Sequence, residues 1–173
     1  KSILMTPTPL PEHDLTEDLK TALDYWRALG GEDLACNWEK FDLFGIPLHL
    51  IPTTMVIDMH PDMDDNTYRF WGTMMTRIHG ADMTGKSPYD LEPKDLARAV
   101  RENHTEILET LTWTSNIYTF IRHSGVNHKH CTMRLPLSGD GKTVHQIVVI
   151  VDLAIADPED RRDLLDAALG NRF

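Results

Sequence analysis

Histidines are the side chains in this sequence with the most chemistry to offer, and their spacing sets what that chemistry is. His79 and His104 each sit in an apolar-facing stretch of the helical half of the chain, where a neutral imidazole can ligate a haem iron. The plainer alternative is a partly buried histidine hydrogen-bonded to backbone or carboxylate, and the sequence holds no CxxCH attachment motif. Haem is therefore disfavoured. His123, His128, His130 and Cys131 form the densest cluster of metal-type residues. His128 and His130 share one face of an expected strand while Cys131 points to the other. Zinc needs three or four converging ligands, so no metal site is assigned and these histidines are read as a solvent or interface face. The best acid–base pairs are Asp58 with His60 and Tyr118 with His104. Neither comes with a nucleophile or a second acid at a recognisable spacing. Gly139-Asp140-Gly141 is too short for a phosphate loop and reads as a hairpin turn. No catalytic residue is assigned.

Residues able to line a pocket are more numerous. The stretch 68–85 starts as an alternating strand, breaks at Gly72, and continues into a short apolar run before Gly85. A strand that turns over into a short helix builds one wall of a cavity. The candidate ligand-binding residues are Phe70, Met74, Met75, Ile78, His79, Val100, His104, Tyr118, Phe120 and Met133. Alternation places Phe70 with Gly72, Tyr118 with Phe120, and Cys131 with Met133 and Leu135 on inward faces. Met83, Leu96 and Ile107 add helical contributions, and methionine thioethers adapt to irregular shapes. The alternative is a solid core with no ligand.

These residues need a scaffold. Residues 1–13 contain Pro7, Pro9 and Pro11 and read as a loosely ordered arm. Asp14 can cap a helix to about Leu29, ended by Gly30-Gly31. Its stripe of Leu15, Leu19, Leu23 and Trp26 must cover either the back of the chain's own sheet or a partner subunit, and a homodimer through this stripe is expected. A short helix is expected over 37–44, stopped by Gly45 and Pro47. Strands over 53–60 and 67–73 flank a turn, short helical pieces fill 74–93, and the longest helix spans 94–111. Strands over 115–123, 128–137 and 143–153 follow, then a helix from Pro158 to about Leu169 carrying Leu164, Leu165, Ala168 and Leu169. The pattern is α+β: a five-stranded antiparallel sheet with crossover helices on one face, as a single domain over 14–156 with a C-terminal helix over 157–173.

The chain has 173 residues, 41% hydrophobic and 25% charged, which suits one globular domain with a real core. A net charge of −10 with scattered Lys and Arg argues against a nucleic-acid surface. No run approaches the ~18 apolar residues of a membrane span, and no signal peptide is visible. Two separated cysteines suit buried thiols in a reducing cytoplasm.

With these elements in place the chain resembles a PAS domain, in particular the bacterial, largely alphaproteobacterial, single-PAS family formerly listed as a domain of unknown function. The likeness covers roughly 23–153. It is carried by Tyr25-Trp26-Arg27, by the run Phe41 to Pro52 (FDLFGIPLHLIP), and by Tyr68-Arg69-Phe70 with Gly72-Thr73. Gly80, Leu135-Pro136-Leu137-Ser138 and Asp140-Gly141 add to it. The resemblance implies a sheet in spatial order second, first, fifth, fourth, third strand, with the helices over 74–111 enclosing a pocket. It implies a non-enzymatic sensor that binds a small apolar ligand or a protein partner and signals through its terminal helices. Flavin photochemistry of the light-sensing kind would need a cysteine in the helical segment, and none lies between Cys36 and Cys131. A pure interaction module with a filled core, or a small-molecule enzyme, are the alternatives.

Overall fold

The computed structural model of the chain describes residues 3–121 and 127–154. In chain order its elements are β1 (Ile3–Leu4), β2 (Thr8–Pro9), α1 (Glu17–Ala28), β3 (Thr54–Asp58), β4 (Thr67–Trp71), α2 (Thr73–His79), α3 (Lys94–Thr110), β5 (Thr114–Ile121), β6 (Asn127–Leu137) and β7 (Gln146–Asp152). The C-terminal helix expected over 157–169 and His123 lie outside the described residues.

The five long strands are all antiparallel and lie in the order β4-β3-β7-β6-β5. Counted from β3, that is second, first, fifth, fourth, third, the order the resemblance implies. The sheet is also wider than expected. β1 and β2 both pair with the outer edge of β5, Leu4 opposite Phe120 and Thr8 opposite Ile117. The arm expected to be loosely ordered is thus, from residue 3, hydrogen-bonded along an edge that would otherwise expose unpaired backbone groups. Pro9 is tolerated because it sits on the outermost strand.

α1 begins two residues later than Asp14 suggests. The Thr16 hydroxyl accepts the Leu19 N–H at 3.3 Å and donates to Asp152 Oδ2 at 2.5 Å, capping the helix and tying it to β7. Asp14 instead closes a short 3₁₀ turn. The stripe of Leu15, Leu19, Leu23 and Trp26 is buried against the chain's own sheet, with Val56, Met133, Leu135, Val148 and Ile150 facing it. Trp26 Nε1 donates to the Pro136 carbonyl at 2.9 Å. The dimer interface assigned to that stripe is corrected by this packing: each of its four side chains is at most 4% exposed within the single chain.

The short helix expected over 37–44 is not formed: 3₁₀ helices occupy Leu43–Gly45 and Leu48–Thr53. Pro47 and Pro52 keep the second of these from continuing as an α-helix, since neither has a backbone donor. The opposite face of the sheet is covered by α2, α3 and the Pro88–Asp90 turn, over Met55, Ile57, Tyr68, Ile147, Val149 and Val151. Gly72 allows β4 to turn directly into α2: a Cβ there would lie 2.3 Å from the Pro52 carbonyl oxygen. Among the described residues no helix is long and apolar enough to cross a membrane.

Candidate functional site

A cavity of about 240 Å³ lies between this second face of the sheet and the helices that cross it. The sheet supplies Met55 and Ile57 from β3, Tyr68 from β4, Tyr118 and Phe120 from β5, and Val149 and Val151 from β7. α2 supplies Met75, Ile78 and His79, and α3 supplies Leu96, Val100 and His104. Leu91, Glu92 and Pro93 close one side, and exposed Glu92 marks its mouth. At about 30 Å³ per water, the volume equals roughly eight water molecules.

Seven of the ten candidate ligand-binding residues line this space: Met75, Ile78, His79, Val100, His104, Tyr118 and Phe120. Phe70, Met74 and Met133 do not. Met133 is fully buried on the α1 side of the sheet, and Phe70 packs there too. Met74 is half-buried and points away from the lining. The Phe70 placement has a definite cause. β3 and β4 pair Ile57 with Tyr68 but Val56 with Phe70, so Arg69 is an extra, bulged residue. Tyr68 and Phe70 are two apart in sequence and on opposite faces.

β6 supplies the residues the sequence reading sent elsewhere. Its odd positions, Cys131, Met133 and Leu135, face α1, and its even positions, His128, His130, Thr132 and Arg134, line the cavity. The histidines read as a solvent or interface face are therefore interior. Tyr118 lies opposite His130 and Phe120 opposite His128 in the β5–β6 register. Their rings stack in pairs at 5.5 Å and 5.7 Å between centroids. The signal that could have found them is the alternation His128-x-His130-x-Thr132-x-Arg134, four polar residues on one face of a strand otherwise covered on both sides.

Burial shapes the chemistry of the wall. It brings His130 down to about 3, with His128, His79 and Arg134 adding repulsion. It brings His79 down to about 4. His104 is held well below the ordinary imidazole range, first by burial and then by the charges of Arg134 and Arg101. These three imidazoles are neutral at pH 7. The phenol of Tyr68 is pushed up by burial. Cys36 and Cys131 are likewise raised, to about 11 and about 12, mainly by burial, and neither lines the cavity.

A hydrogen-bond chain holds His104 from behind. Asn66 Oδ1 accepts the His60 N–H at 2.7 Å, so its amide nitrogen is the group that donates to the Tyr89 hydroxyl at 3.0 Å. Tyr89 then donates to His104 Nδ1 at 2.8 Å, which leaves the imidazole proton on Nε2. Arg134 is held from the other side: its Nη1 donates to Tyr118 Oη at 2.8 Å and Asn103 Oδ1 at 3.2 Å. The acid–base pairs drawn from sequence do not form. Asp58 bonds Arg69 at 2.8 Å, and Tyr118 bonds Arg134 rather than His104. Among the described residues no three of His, Cys, Asp and Glu converge as a metal set. The volume lies below the ~300–1,000 Å³ of sites for drug-sized ligands, which suits a molecule smaller than haem or flavin.

No protein-family model matches the chain, and no curated protein matches it. Among solved structures, a LOV protein of Rhodobacter sphaeroides is 12% identical, with a TM-score of 0.46 over 68% of this chain and 71% of that one. The dark structure of the blue-light photoreceptor Aureochrome1 LOV is 14% identical, with a TM-score of 0.43 over 69% and 86%. The Vibrio cholerae VqmA dimer is 13% identical, with a TM-score of 0.44 over 65% of this chain and 52% of that one. Likeness at this level transfers neither ligand nor output. By its strand order and one-sided helical crossover, this chain has a PAS-like fold.

Proposed function

We propose that this domain is a non-enzymatic sensory or regulatory module, of the cytoplasmic single-PAS kind found in bacteria, that admits a small molecule with a largely apolar body. The observation that supports it is the 240 Å³ void between sheet and crossover helices, walled mainly by Met, Ile, Leu, Val and Phe side chains. Packed interiors leave few spaces larger than a water, so a void of this size favours a binding module over a filled-core interaction module. Output comes from repacking α2 and α3 on the sheet, passed to a partner through the terminal helices. A ligand produces that shift only by preferring one packing over the other. The net charge of −10 favours a protein partner over nucleic acid, and a second copy of the chain is one candidate, through a surface other than the α1 stripe.

The test is native mass spectrometry with an absorption spectrum of freshly purified protein. Extra mass of a small organic molecule that disappears in Val100→Phe, with the fold retained by circular dichroism, is the expected result. No bound mass, together with a failure of any small apolar or amphipathic probe to raise the melting temperature, would sink the reading.

A further inference from the structure

The polar corner of the cavity carries donors without acceptors. Arg134 is 3% exposed and lines the cavity, yet it makes no salt bridge among the described residues. Both of its protein hydrogen bonds leave from Nη1, to Tyr118 and Asn103. Its Nε is buried with no partner. Among the described residues, the Nε/Nη2 edge, which is the edge that meets a carboxylate in a two-point fork, is without a protein acceptor. His104 Nε2 is buried without a partner as well. Because Tyr89 donates to Nδ1, the proton sits on Nε2, which is therefore also a donor. A buried guanidinium cannot lose its charge, so its burial is costly unless an anion answers it.

Resting on the proposed binding role, the geometry points to a more definite ligand class: a small carboxylic acid whose carboxylate meets the Nε/Nη2 edge of Arg134. Its apolar body would lie among Met75, Ile78, Leu96, Val100 and Phe120. The volume admits a body of about eight to ten non-hydrogen atoms, at roughly one per water-sized share. Arg134 is the arginine of the lining and is 3% exposed, and Glu92 at the mouth is paired with Lys94 at 3.2 Å. The acid discriminates itself from a neutral molecule of the same shape, since only the anion supplies two acceptors to a buried fork. A neutral amide or alcohol would leave one donor unsatisfied.

The experiment is calorimetric titration and thermal shift of the full chain with benzoate, phenylacetate and hexanoate, each beside its neutral primary amide. At least one acid is expected to bind tenfold or more tightly than its amide and to raise the melting temperature where the amide does not. In Arg134→Gln that preference is expected to vanish, with the acid falling to the affinity of the amide. Equal binding of acid and amide to the wild type overturns the carboxylate assignment while leaving the cavity reading standing. If neither acids nor amides bind, both fall. Should Arg134→Gln fail to fold, the acid-against-amide comparison on the wild type decides alone.

Discussion

Arg134 Nη1 donates a 2.8 Å hydrogen bond to the Tyr118 hydroxyl across β5 and β6, with both side chains buried and the guanidinium carbon 5.5 Å from the Tyr118 ring centroid. One aromatic ring therefore both accepts from the cation and screens it. Tyr118→Phe keeps the ring and removes the acceptor, leaving Nη1 with Asn103 alone. A hydrogen bond to a charged group contributes about 1.5–3 kcal/mol, so urea denaturation should show a loss of that order. An unchanged midpoint would mean that water replaces the hydroxyl and that the corner is wetter than its burial indicates.

The buried histidines tie stability to pH. Each has a folded pKa depressed below its unfolded value, so the unfolded chain binds more protons as the pH falls through about 6.5. Their neutral burial is without cost above that point, and stability falls progressively below it, down toward about 4 for His79 and about 3 for His130. At pH 5.5, well above both folded values, His79 and His130 each account for a loss of roughly 1 kcal/mol, and His104, held well below the ordinary range, adds to it. Melting curves between pH 8 and 5 check this. The slope should shrink in His104→Gln, and a flat profile would contradict neutral burial.

Val100 lines the cavity from α3. In a filled core, Val100→Phe would overpack and cost about 1–3 kcal/mol. Here the larger ring has a void to enter. The expected outcome is stability unchanged or raised, with ligand uptake lost, read by melting temperature and by titration with the same acids. Destabilisation beyond about 1 kcal/mol would show that the space is not available to a side chain.

Leu19 and Trp26 are buried against the chain's own sheet, and Trp26 also bonds the Pro136 carbonyl. Leu19→Glu with Trp26→Glu is therefore expected to unfold the domain instead of releasing a soluble monomer. Trp26→Ala alone should cost about 3–5 kcal/mol. Circular dichroism beside sedimentation separates the two: a folded, smaller species in the double variant would return the stripe to an interface.

The long strands, the crossover helices and the apolar stripe of α1 were readable because each rests on local periodicity; that the stripe covers the chain's own sheet and not a partner was not. Met55, Ile57 and Met59 alternate as a strand and all face the α2–α3 side. Leu19, Leu23 and Trp26 recur as a helical stripe and do cover the sheet. Tyr118 and Phe120 reach the cavity by the same alternation. The edge pairing of β1 and β2 was not readable: two-residue strands among prolines have no period, and what holds them is the open edge of β5.

What the sequence determined by itself was which residues share a face. What only the tertiary structure decided was which face meets the cavity. β6 and β7 are covered on both sides, so apolarity alone cannot say which alternating set turns toward α1, and the apolar set of β6 went there. That choice left His128, His130, Thr132 and Arg134 for the cavity. On β4 a single bulged residue, Arg69, reversed the parity between Tyr68 and Phe70. Both outcomes depend on register between strands far apart in the chain, and a one-residue change in register moves a side chain from one face to the other. The unpaired edge of Arg134, the feature that defines the ligand proposed here, exists only because of that choice.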